Sequence, residues 1–263
     1  MNDDRPSFLR GAVRPMECFT AGWELIKNDY WLFLGITFVG SLIGSIAPLG
    51  ILLGPMMCGI YYCLFRRANG KPVKFEMLFR GFDHFVPSLI ATLLMMIPMI
   101  VILLPAYIAF VVAAFATAPK PGAQPNPSAM GTFLAAYGMF LLLIVLVSIV
   151  FHILFFFTYP LIVDRRVSGV EAVKTSLRAA WGNLGGVISV VLIDWLLSFA
   201  GSMCCVGQIF LLPIHFAAIA VAYKAVFPPD APPEAPADGP AADYDDARLD
   251  APPPESERGN DKS

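Results

Sequence analysis

The chain alternates between long apolar runs and short polar stretches, and six of the apolar runs are candidates for membrane-spanning helices. A hydrocarbon core of about 30 Å takes about 20 helical residues, and these runs lie near that length. We therefore predict an all-α polytopic membrane protein with six transmembrane helices in three hairpins. The predicted spans cover residues 31–47, 50–65, 86–110, 134–160, 185–203 and 206–227.

Proline and glycine mark the boundaries of the predicted hairpins. Pro48 and Gly50 predict a tight turn between the first two spans, because proline interrupts a helix and glycine favours turns. The long third span contains Pro98 and Pro105, and we interpret it as one kinked helix rather than two crossings. A Pro-rich loop is predicted at 118–130.

Three shorter segments, 14–30, 74–85 and 167–184, place apolar residues at helical spacing with charged residues opposite. This pattern is typical of amphipathic helices that lie in the membrane interface. Each segment leads into a pair of spans, so the chain is predicted to contain three units of interfacial helix plus hairpin. The predicted apolar faces are Met16, Phe19, Trp23, Ile26 and Tyr30; Phe75, Leu78, Phe79, Phe82 and Phe85; and Val170, Val173, Leu177, Trp181 and Leu184.

Charge supports this topology and orients it. Of the 18 Lys and Arg residues, only Lys120 falls on the opposite side of the six-span arrangement from the rest. Basic residues near span ends stay in the cytoplasm. Both termini are therefore predicted to be cytoplasmic, with 1–13 as an N-terminal cytoplasmic segment.

Composition agrees with a membrane protein that carries a disordered tail. Hydrophobic residues make up 57% of the chain and charged residues 14%, against about 25% charged in ordinary soluble domains. The first 30 residues contain no apolar signal-peptide core, so the first span is expected to act as an uncleaved anchor. Residues 228–263 are rich in Pro, Ala and Asp, cannot bury enough apolar surface to fold, and are predicted to be a disordered cytoplasmic tail.

Several short motifs in this layout resemble a known family. They are GPMMCGIYYCLFRRANGK, LFRGFDHF and YPLIVDRRVSGVEAVKTSLRAAWGN. The chain is similar, over about residues 14–227, to small bacterial multi-spanning membrane proteins of unknown function. These are similar in layout to the membrane domain beside some glycerophosphodiester phosphodiesterases. The resemblance implies a multi-pass protein of the bacterial cytoplasmic (inner) membrane and brings no catalytic residues with it.

One polar group stands out inside the spans. Asp194 sits midway along the fifth predicted span, where a carboxylate costs about 2.5–3.5 kcal/mol on insertion scales and should face protein. His215 lies equally far from the turn of that hairpin, so the two residues are predicted to touch, and His152 in the fourth span could join them. Three alternatives stay open: a structural hydrogen bond, a proton relay, or a metal site.

Basic residues at the ends of predicted spans are candidates for contacts with anionic lipid headgroups, the alternative being that they only fix topology. The candidates are Arg66, Arg67, Lys71, Lys74, Arg165 and Arg166. Gly40 and Gly44 form a small-residue face that is suited to helix packing, either internal or in a homo-oligomer.

The predicted function class is non-enzymatic: binding or organising lipids or partner membrane proteins at the membrane. The alternative is a small-solute or ion transporter or channel that uses Asp194 with His215 and His152. An enzyme acting on lipid is a third class, but the sequence contains no Gly-rich phosphate loop, HExxH motif or plausible catalytic triad. Neither a cofactor, a bound metal nor a nucleic-acid partner is predicted.

Overall fold

The computed structural model describes residues 8–46, 50–117, 127–203 and 207–228, which are helical and contain no strand. A single 3₁₀ turn, Lys27–Asp29, joins the first two helices, and a ten-residue 3₁₀ helix, Phe75–His84, precedes the fourth. The α-helices are α1 Pro15–Ile26, α2 Tyr30–Ile46, α3 Leu53–Ala68, α4 Phe85–Thr117, α5 Pro127–Leu154, α6 Thr158–Arg165, α7 Gly169–Gly182, α8 Leu184–Ser202 and α9 Gly207–Val226.

Five helical stretches in the described residues are long and apolar enough to cross a membrane, where the sequence predicted six. The predicted span 50–65 forms α3, which has 16 residues, is not among the five, and lies at the centre of the bundle with 11 of its residues buried. The five stretches are Pro15–Ile46, Phe75–Thr117, Met130–Arg165, Leu184–Ser202 and Gly207–Val226.

Helices form in the three segments predicted to be amphipathic. Each predicted apolar face has one member buried in the bundle, Ile26, Leu78 or Val173, and others that are exposed. Large apolar side chains such as Met16, Trp23 and Trp181 are exposed (70%, 43% and 72%). The buried positions are mostly small: Cys18 and Gly22 in α1, Gly81 in the 3₁₀ helix, and Gly169, Ala172, Ala179 and Ala180 in α7.

Small residues allow these elements to approach the bundle closely. A Cβ atom on Gly22 would lie 2.9 Å from the backbone nitrogen of Ala218 in α9. A side chain on Gly81 would collide with the carbonyl oxygen of Pro55 in α3. Because the backbones pack directly against each other at these positions, no large side chain fits between them. Met16, Trp23 and Trp181 lie instead on the surface of the bundle.

The three elements pack in a cyclic order. The 3₁₀ helix packs on α3, and α7 packs on α4 and α6, so each lies against the hairpin that precedes it in the chain. The first element, α1, closes the cycle by packing on α9 at the other end of the chain. This arrangement supports the three-unit repeat predicted from sequence.

The predicted span 134–160 is not one continuous helix, since α5 ends at Leu154 and α6 begins at Thr158. Ser176 of α7 bridges the break: its hydroxyl donates to the Leu154 carbonyl at 3.0 Å and accepts from the Phe157 N–H at 3.1 Å. The buried backbone groups that a helix break would leave without partners are thereby satisfied.

Some predictions concern residues outside the described ranges. These are the start of the N-terminal segment (1–7), most of the Pro-rich loop (118–126) with Lys120, the turn 204–206, and the tail from 229 to 263.

Candidate functional site

The structure brings Asp194 and His215 together, as the position of the turn predicted. Asp194 lies in α8 and His215 in α9, and His215 Nδ1 is 2.6 Å from Asp194 Oδ1. The Asp194 side chain is 12% exposed and the His215 side chain is 22% exposed. At this distance the imidazole N–H donates to the carboxylate, so the carboxylate is paired inside the bundle rather than facing lipid.

His152 lies beside this pair. Its ring in α5 is 5.6 Å from the ring of His215, centroid to centroid, and both rings also pack on phenylalanines, Phe156 and Phe216. Among the described residues no three His, Cys, Asp or Glu side chains are grouped so that they could hold a metal ion. The geometry therefore supports a hydrogen-bonded pair with a neighbouring imidazole, and the metal alternative has no ligand cluster.

The six cations predicted to contact lipid headgroups are more enclosed than expected. Only Lys74 is exposed; the other five are half-buried. Arg67 Nη2 lies 2.9 Å from Asp29 Oδ2, and its Nε donates to the Leu25 carbonyl at 3.3 Å. Arg67 thus ties the end of α3 to the junction of α1 and α2, and its predicted contact with a lipid headgroup stays a prediction.

The ends of α6 and α9 are held in the same way. Arg165 Nη2 donates to the Pro228 carbonyl at 2.8 Å, and its Nε is 3.3 Å from Asp164 Oδ2. The Tyr223 hydroxyl donates to Asp164 Oδ2 at 2.7 Å. Arg165, like Arg67, is engaged within the protein.

A different pair of arginines is available to a ligand. A groove of about 760 Å³ opens between α7, the end of α5 and the N-terminal segment. Within the described part of the chain, neither Arg10 nor Arg178 in this groove makes a hydrogen bond or an ion pair. We call it the α7 groove; its lining residues are Phe8, Arg10, Leu154, Leu177, Arg178, Trp181 and Gly182.

Asn183 positions Arg10 in the α7 groove. This buried residue follows α7, donates from Nδ2 to the Leu9 carbonyl at 2.9 Å and accepts from the Ala12 N–H at 2.9 Å through Oδ1. The segment around Arg10 is therefore fixed against the end of α7. Sequence reasoning missed this site, because Arg10 and Arg178 lie 168 positions apart and only tertiary packing brings them together. The Leu9 N–H also donates to the Val226 carbonyl at 2.8 Å, which holds the same segment on α9.

The α7 groove combines the features of a lipid-headgroup site. Its two guanidinium groups can bind a phosphate in a bidentate manner. Leu154 and Leu177 supply an apolar floor, and Trp181 at the rim is 72% exposed. Lys174, also exposed, lies one helical turn before Arg178, and the half-buried Glu171 lies one turn before Lys174.

These observations define the class of protein: an all-helical chain with five stretches able to cross a membrane, which indicates a helical membrane protein. A family model described as a domain of unknown function, DUF7847, matches residues 76–239, and the chain belongs to this family. The match includes Asp194, His215 and Arg178 but not Arg10, and it shows no link to glycerophosphodiester phosphodiesterases or to a bacterial source. No curated protein and no solved structure matches the chain.

Proposed function

We propose that this protein is a non-enzymatic component of the bacterial cytoplasmic membrane that binds anionic phospholipids at the cytoplasmic face. The observation that carries the proposal is the α7 groove, where Arg10 and Arg178 lie beside apolar residues and make no hydrogen bond or ion pair with any residue that the structure describes. The bias of Lys and Arg to one side of the chain supports a cytoplasmic location for this face and for both termini.

Exposed aromatic residues support contact with the membrane interface. Trp23 on α1, Phe79 and Phe82 on the 3₁₀ helix and Trp181 on α7 are all at least 40% exposed. Arg80 and Arg178 are exposed cations on the same helices as Phe79, Phe82 and Trp181, and the exposed Lys27 directly follows α1. Aromatic rings with cationic neighbours are typical of helices at the headgroup level.

Removing both arginines of the α7 groove tests the proposal. The variant Arg10→Gln, Arg178→Gln should bind phosphatidylglycerol about 30-fold more weakly, since each basic residue near an anionic surface contributes about 1 kcal/mol. Binding of zwitterionic phosphatidylcholine should not change. Native mass spectrometry of the detergent-purified protein, titrated with each lipid, measures both affinities.

A matched control removes the same charge elsewhere. Arg14 and Arg80 are exposed but paired, with Glu17 at 3.0 Å and Asp83 at 3.5 Å. The variant Arg14→Gln, Arg80→Gln should keep most of the affinity for phosphatidylglycerol. An equal loss in both double variants would mean that overall charge, and not the α7 groove, attracts the lipid.

A second candidate function is proton handling, which the contact between Asp194 and His215 and the adjacent His152 ring favour. If these residues relay protons, liposomes containing the protein should dissipate a pH gradient faster than empty liposomes. Asp194→Asn should abolish that flux while the protein remains folded, because the amide keeps the size and an acceptor oxygen but cannot ionise. A pH-sensitive dye inside the liposomes measures the flux, and rates equal to those of empty liposomes would rule this function out.

A further inference from the structure

The hairpins of the bundle differ greatly in length. The helices α4 and α5 contain 33 and 28 residues, whereas α2, α3, α8 and α9 contain 17, 16, 19 and 20. Contacts between the hairpins show where the short ones end relative to the long one.

The α2–α3 hairpin ends beside the first third of α4. A Cβ on Gly50, at the tip of this hairpin, would lie 3.3 Å from the sulfur of Met96. The 21 residues from Ile97 to Thr117 lie beyond this point, and at 1.5 Å per residue they extend about 31 Å.

The α8–α9 hairpin ends at a comparable position. The rings of His152 and His215 place α5 and α9 side by side. Along α9, His215 lies eight residues from the start of the helix at Gly207, which is a distance of about 12 Å. Along α5, His152 lies 25 residues from the start of the helix at Pro127, which is a distance of about 37 Å. The α4–α5 hairpin therefore extends about 25–30 Å past both short hairpins.

The extension, residues 97–117 of α4 and the facing part of α5, exposes mostly apolar side chains and no charged one. No residue between 85 and 119 or between 121 and 163 is Asp, Glu, Lys or Arg. Among the described residues, none from Leu93 to Thr117 and none from Gly131 to His152 is buried. A cleft of about 450 Å³ between the two helices is lined by residues such as Met99, Leu103 and Ile144.

Exposed charges lie close to the tips of both short hairpins. Gly81 contacts Pro55, two residues from the start of α3, and its neighbours Arg80 and Asp83 are exposed. At the other hairpin, the Tyr30 hydroxyl donates to the carbonyl of Phe210, the fourth residue of α9. Lys27 is exposed and Asp29 half-buried directly before Tyr30.

We propose that only the α4–α5 hairpin crosses the hydrocarbon core of the bilayer, and that the α2–α3 and α8–α9 hairpins end near its cytoplasmic boundary. The acyl chains then cover the exposed extension, whose length of about 25–31 Å matches a hydrocarbon core of about 30 Å. If the short hairpins ended deeper, Arg80 and Asp83 would lie in hydrocarbon, and if they reached the far interface, the extension would stand in water. Both arrangements are unfavourable.

This proposal does not depend on lipid binding in the α7 groove. It places Asp194 and His215 near the headgroups of the cytoplasmic leaflet, because Gly22, on the charged helix α1, packs on α9 only two to three residues from His215. A proton path through this pair would then lack a route across the far leaflet.

Cysteine labelling in sealed membrane vesicles tests the depth of each hairpin. Single cysteines replace Ile51, Met203 or Met130 in the otherwise cysteine-free chain; these residues lie at the two short tips and at the start of α5, and all are exposed. A membrane-impermeant maleimide should label Met130→Cys in one vesicle orientation. It should not label Ile51→Cys or Met203→Cys in that orientation, although both should react after denaturation.

Every other pattern overturns the proposal. Labelling of Ile51→Cys and Met203→Cys together with Met130→Cys would show that all three hairpins cross fully. No labelling of Met130→Cys in either orientation would show that the long hairpin does not cross. Phe210→Cys, at an exposed position (43%) in the first turn of α9, repeats the test at this hairpin, so a folding defect of Met203→Cys cannot decide the result.

Discussion

At the scale of single residues, Asn183 links the two ends of the chain. Its amide donates to the Leu9 carbonyl and to the Ala179 carbonyl, and its oxygen accepts from Ala12. One buried side chain therefore both ends α7 and holds the N-terminal segment. Together with the hydrogen bond from the Leu9 N–H to the Val226 carbonyl, this side chain fixes the position of Arg10 in the α7 groove.

The contact between Asp194 and His215 should contribute measurably to stability. Asp194→Leu should lower the free energy of unfolding by about 1–3 kcal/mol, because it leaves the His215 N–H buried without an acceptor. The double variant Asp194→Leu, His215→Leu should recover part of that loss, since both polar partners are then absent. Unfolding in detergent, followed for the four members of the cycle, measures the coupling.

The coupling energy should be about 1 kcal/mol, as for other hydrogen bonds between membrane helices. His152→Leu, which removes a ring neighbour but not the hydrogen bond, is the matched control and should show little coupling to Asp194→Leu. Losses that simply add for Asp194 and His215 would contradict the contact.

The contact between Asp194 and His215 could be predicted from the sequence, whereas the α7 groove could not. The reason is the number of residues that separate the contacting groups along the chain. Asp194 and His215 belong to one hairpin, where counting residues from the turn gives the pairing directly. Arg10 and Arg178 come together only through the packing of the first segment on the last unit. Apolar periodicity contains no information on that packing.

At the scale of elements, the 3₁₀ helix divides the face that a period of 3.6 predicted. That period placed Leu78, Phe79 and Phe82 on one apolar face at the membrane interface; Phe79 and Phe82 are exposed, whereas Leu78 is buried in the bundle. The helix has three residues per turn, so it buries every third position: Leu78, Gly81 and His84. A polar histidine and a glycine on the packed face cannot be recognised as core positions from hydropathy.

The break between α5 and α6 has a similar explanation. Hydropathy is continuous from residue 134 to 160, so the sequence predicted one span there. The helix ends at Leu154 because Ser176 of α7 supplies the hydrogen bonds that the backbone would otherwise make to itself. A partner 20 positions away decides the boundary, and no local pattern indicates it.

At the scale of the whole molecule, charge and length act together. The one-sided distribution of Lys and Arg could be recognised from sequence because it depends only on the order of apolar runs. The depth of each hairpin in the membrane could not be recognised from sequence, since the number of apolar residues in one run does not indicate where the neighbouring helices end. The contacts of Gly50 with Met96 and of His152 with His215 supply that missing information.

The central claim, that the α7 groove holds an anionic phospholipid, can be tested most directly by crosslinking in cells. A photoreactive amino acid replaces Trp181, which is exposed at the rim of the α7 groove; the control position is Trp31, which is equally exposed (73%) but lies on α2. After irradiation, the lipids attached at each position are identified by mass spectrometry. We expect adducts at position 181 to be enriched in anionic phospholipid relative to position 31, and the enrichment to disappear in the Arg10→Gln, Arg178→Gln background. Adducts at position 181 that follow the bulk lipid composition, or that are mainly protein, would contradict the account.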